Sequence, residues 1–330
     1  MQTECRTAPR APNGSSGHSG PGVGGIRNVP TPNSPMPGPM PVPTSLFAVA
    51  LLSLDGVGRV TAHRLLERFP TAEAVRTAPR EQVLLRLKGV AHADRTVDAI
   101  CDPAFDEATE AARAQVAALA GRQIHVLTPG ATGWPPGLDA LDRADRPVVL
   151  YAFGDLAALA WPSLSVLASA PLAAEPFERA QDVARAVLAR GRGLVVGAAH
   201  GVDLALQKLS LAASVPAVGV VGAGLARLER SMRPGATALT KAGGLLVSPF
   251  PMAHGPFEHD DRERALVQAA IGRAVLAVAP PPGSPEDRAV AWASDAGRTV
   301  GLLPPAPPDA TWPASALPVD DPHAVAEWVA

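Results

Sequence analysis

The stretch between residues 148 and 303 alternates short apolar runs with segments of helical periodicity. Seven such runs occur, at Val148–Tyr151, Leu164–Ala168, Leu194–Gly197, Val215–Val221, Leu245–Ser248, Ala274–Ala279 and Thr299–Leu303. Apolar strands of this length, separated by helices, are typical of a parallel sheet that is covered on both faces. We therefore predict an α/β fold with a Rossmann-like, doubly wound, mostly parallel sheet, which binds ligands at the carboxyl ends of its strands.

A helical zone precedes the predicted sheet. An apolar helix over residues 46–54 leads into the turn Asp55–Gly58 and a second amphipathic helix, an arrangement that looks like a helix-hairpin-helix. Gly56 and Gly58 would let backbone N–H groups approach a phosphate closely, beside the N-terminus of the second helix. The alternative is that these glycines only make a tight turn between helices. Local charge does not decide, because acids and bases in this zone nearly cancel.

The prolines mark the ends of the folded part. The chain has 36 prolines, and ten of them lie in residues 1–44 together with seven glycines. Such a segment cannot bury enough apolar surface to offset its chain entropy. We predict four segments: a disordered tail over 1–44, a helical helix-hairpin-helix-like domain over 45–120, the Rossmann-like domain over 121–304, and a Pro-rich tail with a short helix over 305–330.

Composition also restricts the compartment. The charged start is not followed by the apolar run of a signal peptide, and the first apolar run spans only about ten residues, too short to cross a bilayer. Cys5 and Cys101 cannot build a disulfide framework. We predict a cytoplasmic protein without membrane association. The formal net charge of −2 excludes a broadly basic nucleic-acid binder.

Two glycine-rich turns follow predicted strands. Gly197 and Gly201 bracket the first turn, which also contains His200 and leads into a helix that Asp203 could cap. Such a turn can bind an anion through backbone N–H groups, or it can be a simple strand–helix connection. The second turn, after residue 221, is a partial Gly-x-Gly-x-x-Gly pattern without an acidic residue at ribose distance, so we predict no dinucleotide and no other cofactor.

A polar loop follows the strand at Leu245–Ser248. His254, His259, Asp260 and Asp261 could be taken as a metal cluster, but nothing in the sequence fixes their geometry. Acidic residues near a helix N-terminus are favoured by the helix dipole alone. We therefore predict no metal site, and we find no supported pair of carboxylates or nucleophilic triad for catalysis.

The order of these pieces resembles DNA-processing protein A, the Smf family, over roughly residues 46–303. The matching stretches are Ala50–Gly58, Leu65–Phe69, Pro147–Tyr151, Gly154–Leu156, the turn Val195–Asp203, Gly224, Val247–Pro251 and Gly297–Arg298. Members of that family bind single-stranded DNA and mediate recombination. The resemblance implies phosphate contacts from Gly56, Gly58, Gly197, His200, Gly201, Asp203, Lys208, Gly222, Gly224, Arg262 and Arg264.

The chain also departs from the family pattern at its strand ends. Ala170 stands where the family has an arginine after its first Rossmann strand, and only Arg262 and Arg264 remain of an Arg-Asn-Arg motif. Further departures are Val196, Gln207, Glu229, Arg230, Pro249 and Ala279. Because each lost phosphate contact lowers affinity and its salt dependence, we expect a weakened DNA pocket on an intact fold.

Two functions follow as hypotheses. The first is a non-catalytic mediator of recombination and natural transformation that binds single-stranded DNA and presents it to a RecA-type recombinase, as a homodimer through the Rossmann-like domain. The alternative is a nucleotide-binding or nucleotide-cleaving protein of the lysine-decarboxylase-like kind. That alternative would need a phosphate-sized pocket and a carboxylate, for which Asp203 and Glu229 are the nearby candidates.

Overall fold

The computed structural model describes residues 43–169, 171–198, 201–303 and 313–329. The tail predicted for residues 1–44 lies almost wholly outside these ranges, and so do Ala170 and His200. All described residues belong to one compact unit. The three boundaries between the four predicted segments stay predictions.

Six helices form the N-terminal part: α1 (Pro43–Leu52), α2 (Arg59–Leu66), α3 (Ala72–Thr77), α4 (Arg80–Arg86), α5 (Ala93–Cys101) and α6 (Ala104–Ala120). Their apolar faces meet in a core that contains the fully buried side chains of Leu51, Leu65 and Phe105. The short helices α4 and α5 were not predicted, because each spans about two turns and gives too little periodic pattern to read.

The sheet has nine strands: β1 (Ile124–Leu127), β2 (Leu150–Gly154), β3 (Ser163–Ala168), β4 (Gly193–Gly197), β5 (Ala217–Val220), β6 (Leu245–Ser248), β7 (Ala274–Val278), β8 (Thr299–Leu303) and β9 (Leu317–Pro318). Their order is β1-β2-β6-β5-β4-β3-β7-β8-β9. The strands from β6 to β9 in this order are parallel, and β1 and β2 are added antiparallel at one edge.

Helices cover both faces of this sheet. One face packs against α7 (Ala174–Ala189), α8 (Val202–Ala213), α9 (Arg233–Lys241) and α12 (Pro322–Glu327), and the other against α10 (Asp260–Ile271) and α11 (Pro285–Asp295). Each of the seven predicted apolar runs overlaps a strand. The edge strands β1 and β9 were missed, because the first contains His125 and the second has only two residues.

The strand order reverses beside β3. Strands β4, β5 and β6 lie on one side of it, and β7 and β8 lie on the other, so the connections diverge from this point. Ligands of doubly wound sheets bind in the crevice that such a divergence opens at the carboxyl ends. No helix in the described part of the chain is both long and apolar enough to cross a membrane.

Candidate functional site

A pocket of about 590 Å³ opens at the carboxyl ends of the parallel strands. Its walls come from the ends of β3, β4 and β5 and from the first turns of α8, α10 and α11. We call it the strand-end pocket. Its position at the divergence of the strand order and its volume are both typical of ligand sites in such folds.

The turn between β4 and α8 is held by a buried carboxylate. The backbone N–H of Gly197 donates to Oδ1 of Asp203 at 3.1 Å, and a Cβ at Gly197 would overlap that carboxylate. The Nε2 of Gln207 donates to the carbonyl oxygen of Gly197 at 3.0 Å. Gly201, with φ of +70°, is the N-cap of α8 without a side-chain hydrogen bond, so Asp203 is not the predicted cap. Instead, Asp203 braces β4 and lines the strand-end pocket.

Gly222 and Gly224 have different surroundings. Gly222 lines the pocket, and a Cβ there would lie 3.3 Å from Cδ of Arg264 and 3.4 Å from Oδ1 of Asp261. Gly224 packs instead against the backbone of residues 251–252, and its N–H donates to the carbonyl oxygen of His254 at 2.9 Å. The partial glycine pattern therefore supplies one residue to the pocket wall and one to loop packing.

Arg264 is the basic side chain inside the pocket, and carboxylates surround it. Its side chain is only 11% exposed and forms an ion pair with Glu286, which is 6% exposed. It also donates to Oδ1 of Asp261 at 3.2 Å and to Oε1 of Gln268 at 2.8 Å. Burial works to lower the pKa of the guanidinium, but Glu286, Asp203 and Asp261 together raise it above its ordinary value.

Ser169 completes this network at the end of β3. Its hydroxyl donates to Oε2 of Glu286 at 2.7 Å, across 117 positions of sequence. Neither Ser169 nor Glu286 was among the candidate residues predicted from the sequence. The one signal for Glu286 was its place in the first turn of a helix after Ser284, which is a common position for structural acids.

Arg262 lies outside the strand-end pocket. Its guanidinium forms an ion pair with Asp145 at 3.1 Å, and its side chain is half exposed. Residues two apart on a helix point in different directions, so Arg262 and Arg264 cannot serve one site in the way their motif suggested. Lys208 is exposed on α8 and is likewise absent from the pocket lining.

The glycines of the helical hairpin are also remote from the pocket lining. Gly56 has φ of +77°, and Gly58 is the N-cap of α2 in extended conformation. The next side chain, Arg59, forms an ion pair with Glu263 of α10 and donates to the carbonyl oxygen of Ala144 at 3.4 Å. The basic side chain next to this hairpin therefore joins the helical part to the sheet part.

Three exposed arginines lie in a segment that contributes Arg227, Leu228, Glu229 and Met232 to the pocket lining. We call residues 227–233 the rim segment: Arg227 lines the pocket, and Arg230 and Arg233 follow at intervals of three. The Nε of Arg227 donates to the carbonyl oxygen of Ala253 at 3.1 Å, and that of Arg233 to the carbonyl oxygen of Leu228 at 3.3 Å. The sequence prediction for this segment was limited to a departure from the family pattern at Arg230 and a candidate carboxylate at Glu229. The spacing of its arginines was the signal that could have revealed it.

The residues considered as metal ligands hold the loop before α10. Nε2 of His254 lies 3.0 Å from Oδ1 of Asp260, and the N–H of Phe257 donates to Oδ2 of Asp260 at 2.9 Å. The His254 ring stacks on Phe250 with centroids 4.7 Å apart. Among the residues that the structure describes, no group of three histidine, cysteine or acidic side chains is placed to hold a metal ion.

Arg298, of the late Gly-Arg pair, closes the C-terminus of α10. Its guanidinium donates to the carbonyl oxygens of Gly272 and Ala270, the latter at 3.0 Å, and lies 5.3 Å from the ring centroid of Trp292. We expect Arg298→Gln to lower the free energy of unfolding by about 2 kcal/mol, because buried carbonyls lose a charged donor.

Urea unfolding measures this effect of Arg298. The matched control is Arg288→Gln, which removes an exposed arginine from α11 and should stay within about 0.5 kcal/mol of the parent chain. Equal midpoints for the two variants would show that Arg298 contributes nothing to closing the helix.

The chain matches one family of proteins over most of its sheet. A model of the DNA recombination-mediator protein A family matches residues 125–321, which is more than half of the chain. Protein Smf of Escherichia coli K12 is 27% identical over 155 residues, or 47% of this chain and 41% of that protein. The chain therefore spans about two fifths of the length of this curated relative.

Two solved structures share the fold. DNA processing protein A from Streptococcus pneumoniae is 18% identical with a TM-score of 0.52, over 77% of this chain and 89% of that one. DNA processing protein A from Helicobacter pylori, described for its unique single-stranded DNA binding mode, is 17% identical with a TM-score of 0.52, over 62% and 94%. The predicted fold class is confirmed. From the extent of the family match, the chain belongs to the DNA recombination-mediator protein A family.

Proposed function

We propose that this chain binds the backbone of single-stranded DNA along the rim of the strand-end pocket, as a non-catalytic mediator of recombination. Family membership and the description of the Helicobacter pylori structure support the choice of ligand. The observation that carries the location is the rim segment, whose three arginines are exposed to solvent beside the pocket. Phosphate contacts from such side chains supply most of the sequence-independent affinity for nucleic acid.

The interior of the pocket is a poor place for a phosphate. Arg264 is paired with Glu286 and Asp261, and Asp203 adds a third carboxylate nearby. A phosphate entering this space would face repulsion from Glu286 and Asp203, which are buried and therefore shielded little by water. The strand should therefore follow the rim, where Arg227, Arg230 and Arg233 lie in solvent. The carboxylates inside the pocket are hydrogen-bond acceptors. The groups of a DNA strand that they can bind are therefore donors, such as the exocyclic amino groups of bases.

The proposal extends to partners that the family suggests. We propose that the bound strand is handed to a RecA-type recombinase in recombination and natural transformation, that the protein acts in the cytoplasm, and that it forms a homodimer through the Rossmann-like domain. Analytical ultracentrifugation at micromolar concentration tests the dimer. A single monomeric species at every concentration would contradict it.

The experiment for DNA binding compares two triple variants by fluorescence anisotropy with labelled oligo-dT at low salt. The rim variant is Arg227→Gln, Arg230→Gln and Arg233→Gln, and its matched control removes three exposed arginines elsewhere, at positions 95, 113 and 122. We expect the rim variant to lose at least tenfold in affinity and about 2 in the slope of log K against log salt, at about 0.7 per single-strand contact.

Both variants change the net charge equally, so a general charge effect would move them together. Equal losses in the two variants would place the contacts elsewhere. Absence of binding by the parent chain below tens of micromolar would reject the function itself.

The nucleotide alternative keeps one supporting observation. The strand-end pocket is large enough for a nucleotide-sized molecule and contains a serine hydrogen-bonded to a buried glutamate, Ser169 and Glu286. A thermal-shift panel separates the two functions, because a ligand that binds only the native state raises its stability. Stabilisation by mononucleotides and not by oligo-dT would favour the alternative.

A further inference from the structure

The helical part carries a basic cavity that shares no lining residue with the strand-end pocket. The cavity lies at the surface and has a volume of about 290 Å³. It is lined by one carboxylate, Glu67, by the apolar side chain of Leu85, and by four cationic side chains, Arg64, Arg86, Lys88 and Arg143. These residues come from the C-terminal ends of α2 and α4 and from the loop before β2. We call this surface the α2–α4 patch.

Contacts inside the patch fix part of it and leave the rest accessible. Arg64 donates to the carbonyl oxygen of Lys88 at 2.6 Å, which ties α2 to the end of α4. Arg143 donates from Nε and Nη2 to the two oxygens of Glu67 at 2.8 and 2.9 Å, and this hydrogen bonding lowers the pKa of Glu67. Among the described residues, Glu67 is the one carboxylate that lines the patch, and Arg143 is bound to it, whereas the side chains of Arg86 and Lys88 are exposed.

The fold separates charges that cancel along the sequence. The acids of the helical part that form ion pairs with arginines of α3 and α4 lie on α5 and α6: Asp94 and Asp98 face Arg80, and Asp106 faces Arg76. In the described part of the chain, the lining of the α2–α4 patch contains four bases and one carboxylate. A local excess of positive charge on a chain with net charge −2 is a specific feature of this surface.

Two ion pairs lie on the loop that contacts both α10 and this patch. Arg264 lies in the pocket, and two residues before it on α10 Arg262 pairs with Asp145. Asp145 shares a loop with Arg143, which belongs to the patch. A strand that follows the rim of the pocket can thus continue over α10 and this loop to the helical part.

We propose that the α2–α4 patch is a second contact surface for the phosphodiester backbone of nucleic acid. Exposed Lys and Arg side chains around a polar cavity match phosphate oxygens in charge and in hydrogen-bond donors. The exposed side chain of Leu85, which is 71% accessible, adds an apolar contact for a sugar. This inference rests on the proposed function, because it extends the path of the same strand.

The test uses the full chain and two oligo-dT probes, one of about 6 and one of about 30 nucleotides, chosen to cover one or both surfaces. The patch variant is Arg86→Gln with Lys88→Gln, because neither side chain holds the fold through a contact in the described residues. Its matched control is Arg95→Gln with Arg122→Gln. For the long probe we expect the salt slope of the patch variant to fall by about 1.4, at about 0.7 per contact.

The outcomes separate the patch from the proposed function. A smaller slope for the long probe, with the short probe bound as by the parent chain, supports the patch. An unchanged long-probe slope overturns the patch alone if the rim variant still loses affinity. A parent chain that binds neither probe overturns both proposals. Equal losses in the patch variant and its control overturn the patch as well, because the effect then comes from net charge alone.

Discussion

Glu286→Gln is expected to lower the free energy of unfolding by about 3 kcal/mol, because it leaves a buried arginine without its main counter-charge. The side chains of Arg264 and Glu286 are both nearly inaccessible to water. Asp261 stays 3.2 Å from the Arg264 guanidinium, but its own side chain is 57% exposed and compensates only in part. The hydroxyl of Ser169 also exchanges a charged acceptor for an amide oxygen.

The same substitution should make the strand-end pocket responsive to anions. Glu286 pairs with the Arg264 guanidinium that a phosphate would need. A neutral glutamine at this position leaves the guanidinium able to bind an anion. Inorganic phosphate at about ten times its Kd would then restore about 1.4 kcal/mol to the variant. The parent chain, with Glu286 in place, should gain much less from the same phosphate concentration.

Thermal unfolding with and without phosphate measures both effects. The matched control is Glu178→Gln, which neutralises an exposed glutamate on α7 and should change stability by less than about 0.5 kcal/mol. Equal phosphate responses in the parent chain and in the Glu286 variant would show that this carboxylate does not exclude anions from the pocket.

The contacts of Glu286 could not be predicted from the sequence, whereas the strands could. The parallel strands were readable because their burial on both faces leaves uninterrupted apolar runs such as Leu194–Gly197 and Ala274–Val278. The contact between Ser169 and Glu286 joins the end of β3 to the first turn of α11, which only the sheet order brings together. No local spacing encodes such a contact.

Among the candidate site residues, the placement of the glycines could be predicted from the sequence, but the orientation of the arginines could not. Glycine-rich turns at Gly197 and Gly222 were correctly expected at the strand ends, since a strand–helix connection has a short and recognisable pattern. Whether an arginine in the following helix faces the pocket depends on helix phase, which a motif of uncertain register cannot supply. Arg262 and Arg264, two residues apart, consequently face Asp145 and Glu286 respectively.

Gly224→Ala should destabilise the chain by about 3 kcal/mol, whereas Gly222→Ala should cost less than about 1 kcal/mol. The backbone of Gly224 has φ of −61° and ψ of 143°, which alanine adopts without strain, so available space decides the outcome. A Cβ at Gly224 would overlap the backbone carbonyl oxygens of Pro251 and Met252, which cannot move aside as a side chain can. At Gly222 the nearest atoms belong to side chains, Cδ of Arg264 and Oδ1 of Asp261 at 3.3 and 3.4 Å, and need to move by only a few tenths of an ångström.

The Gly224 variant should also weaken DNA binding, because the loop it displaces positions the rim segment. Ala226 donates to the carbonyl oxygen of Met252 at 3.0 Å, and Arg227 to that of Ala253 at 3.1 Å. Urea unfolding and oligo-dT anisotropy on both alanine variants measure the two effects together. Full affinity in a destabilised Gly224 variant would mean that the rim arginines need no fixed position. Equal stability of the two variants would mean that the loop after β6 moves aside at no cost in free energy. The rim segment would then have no rigid support.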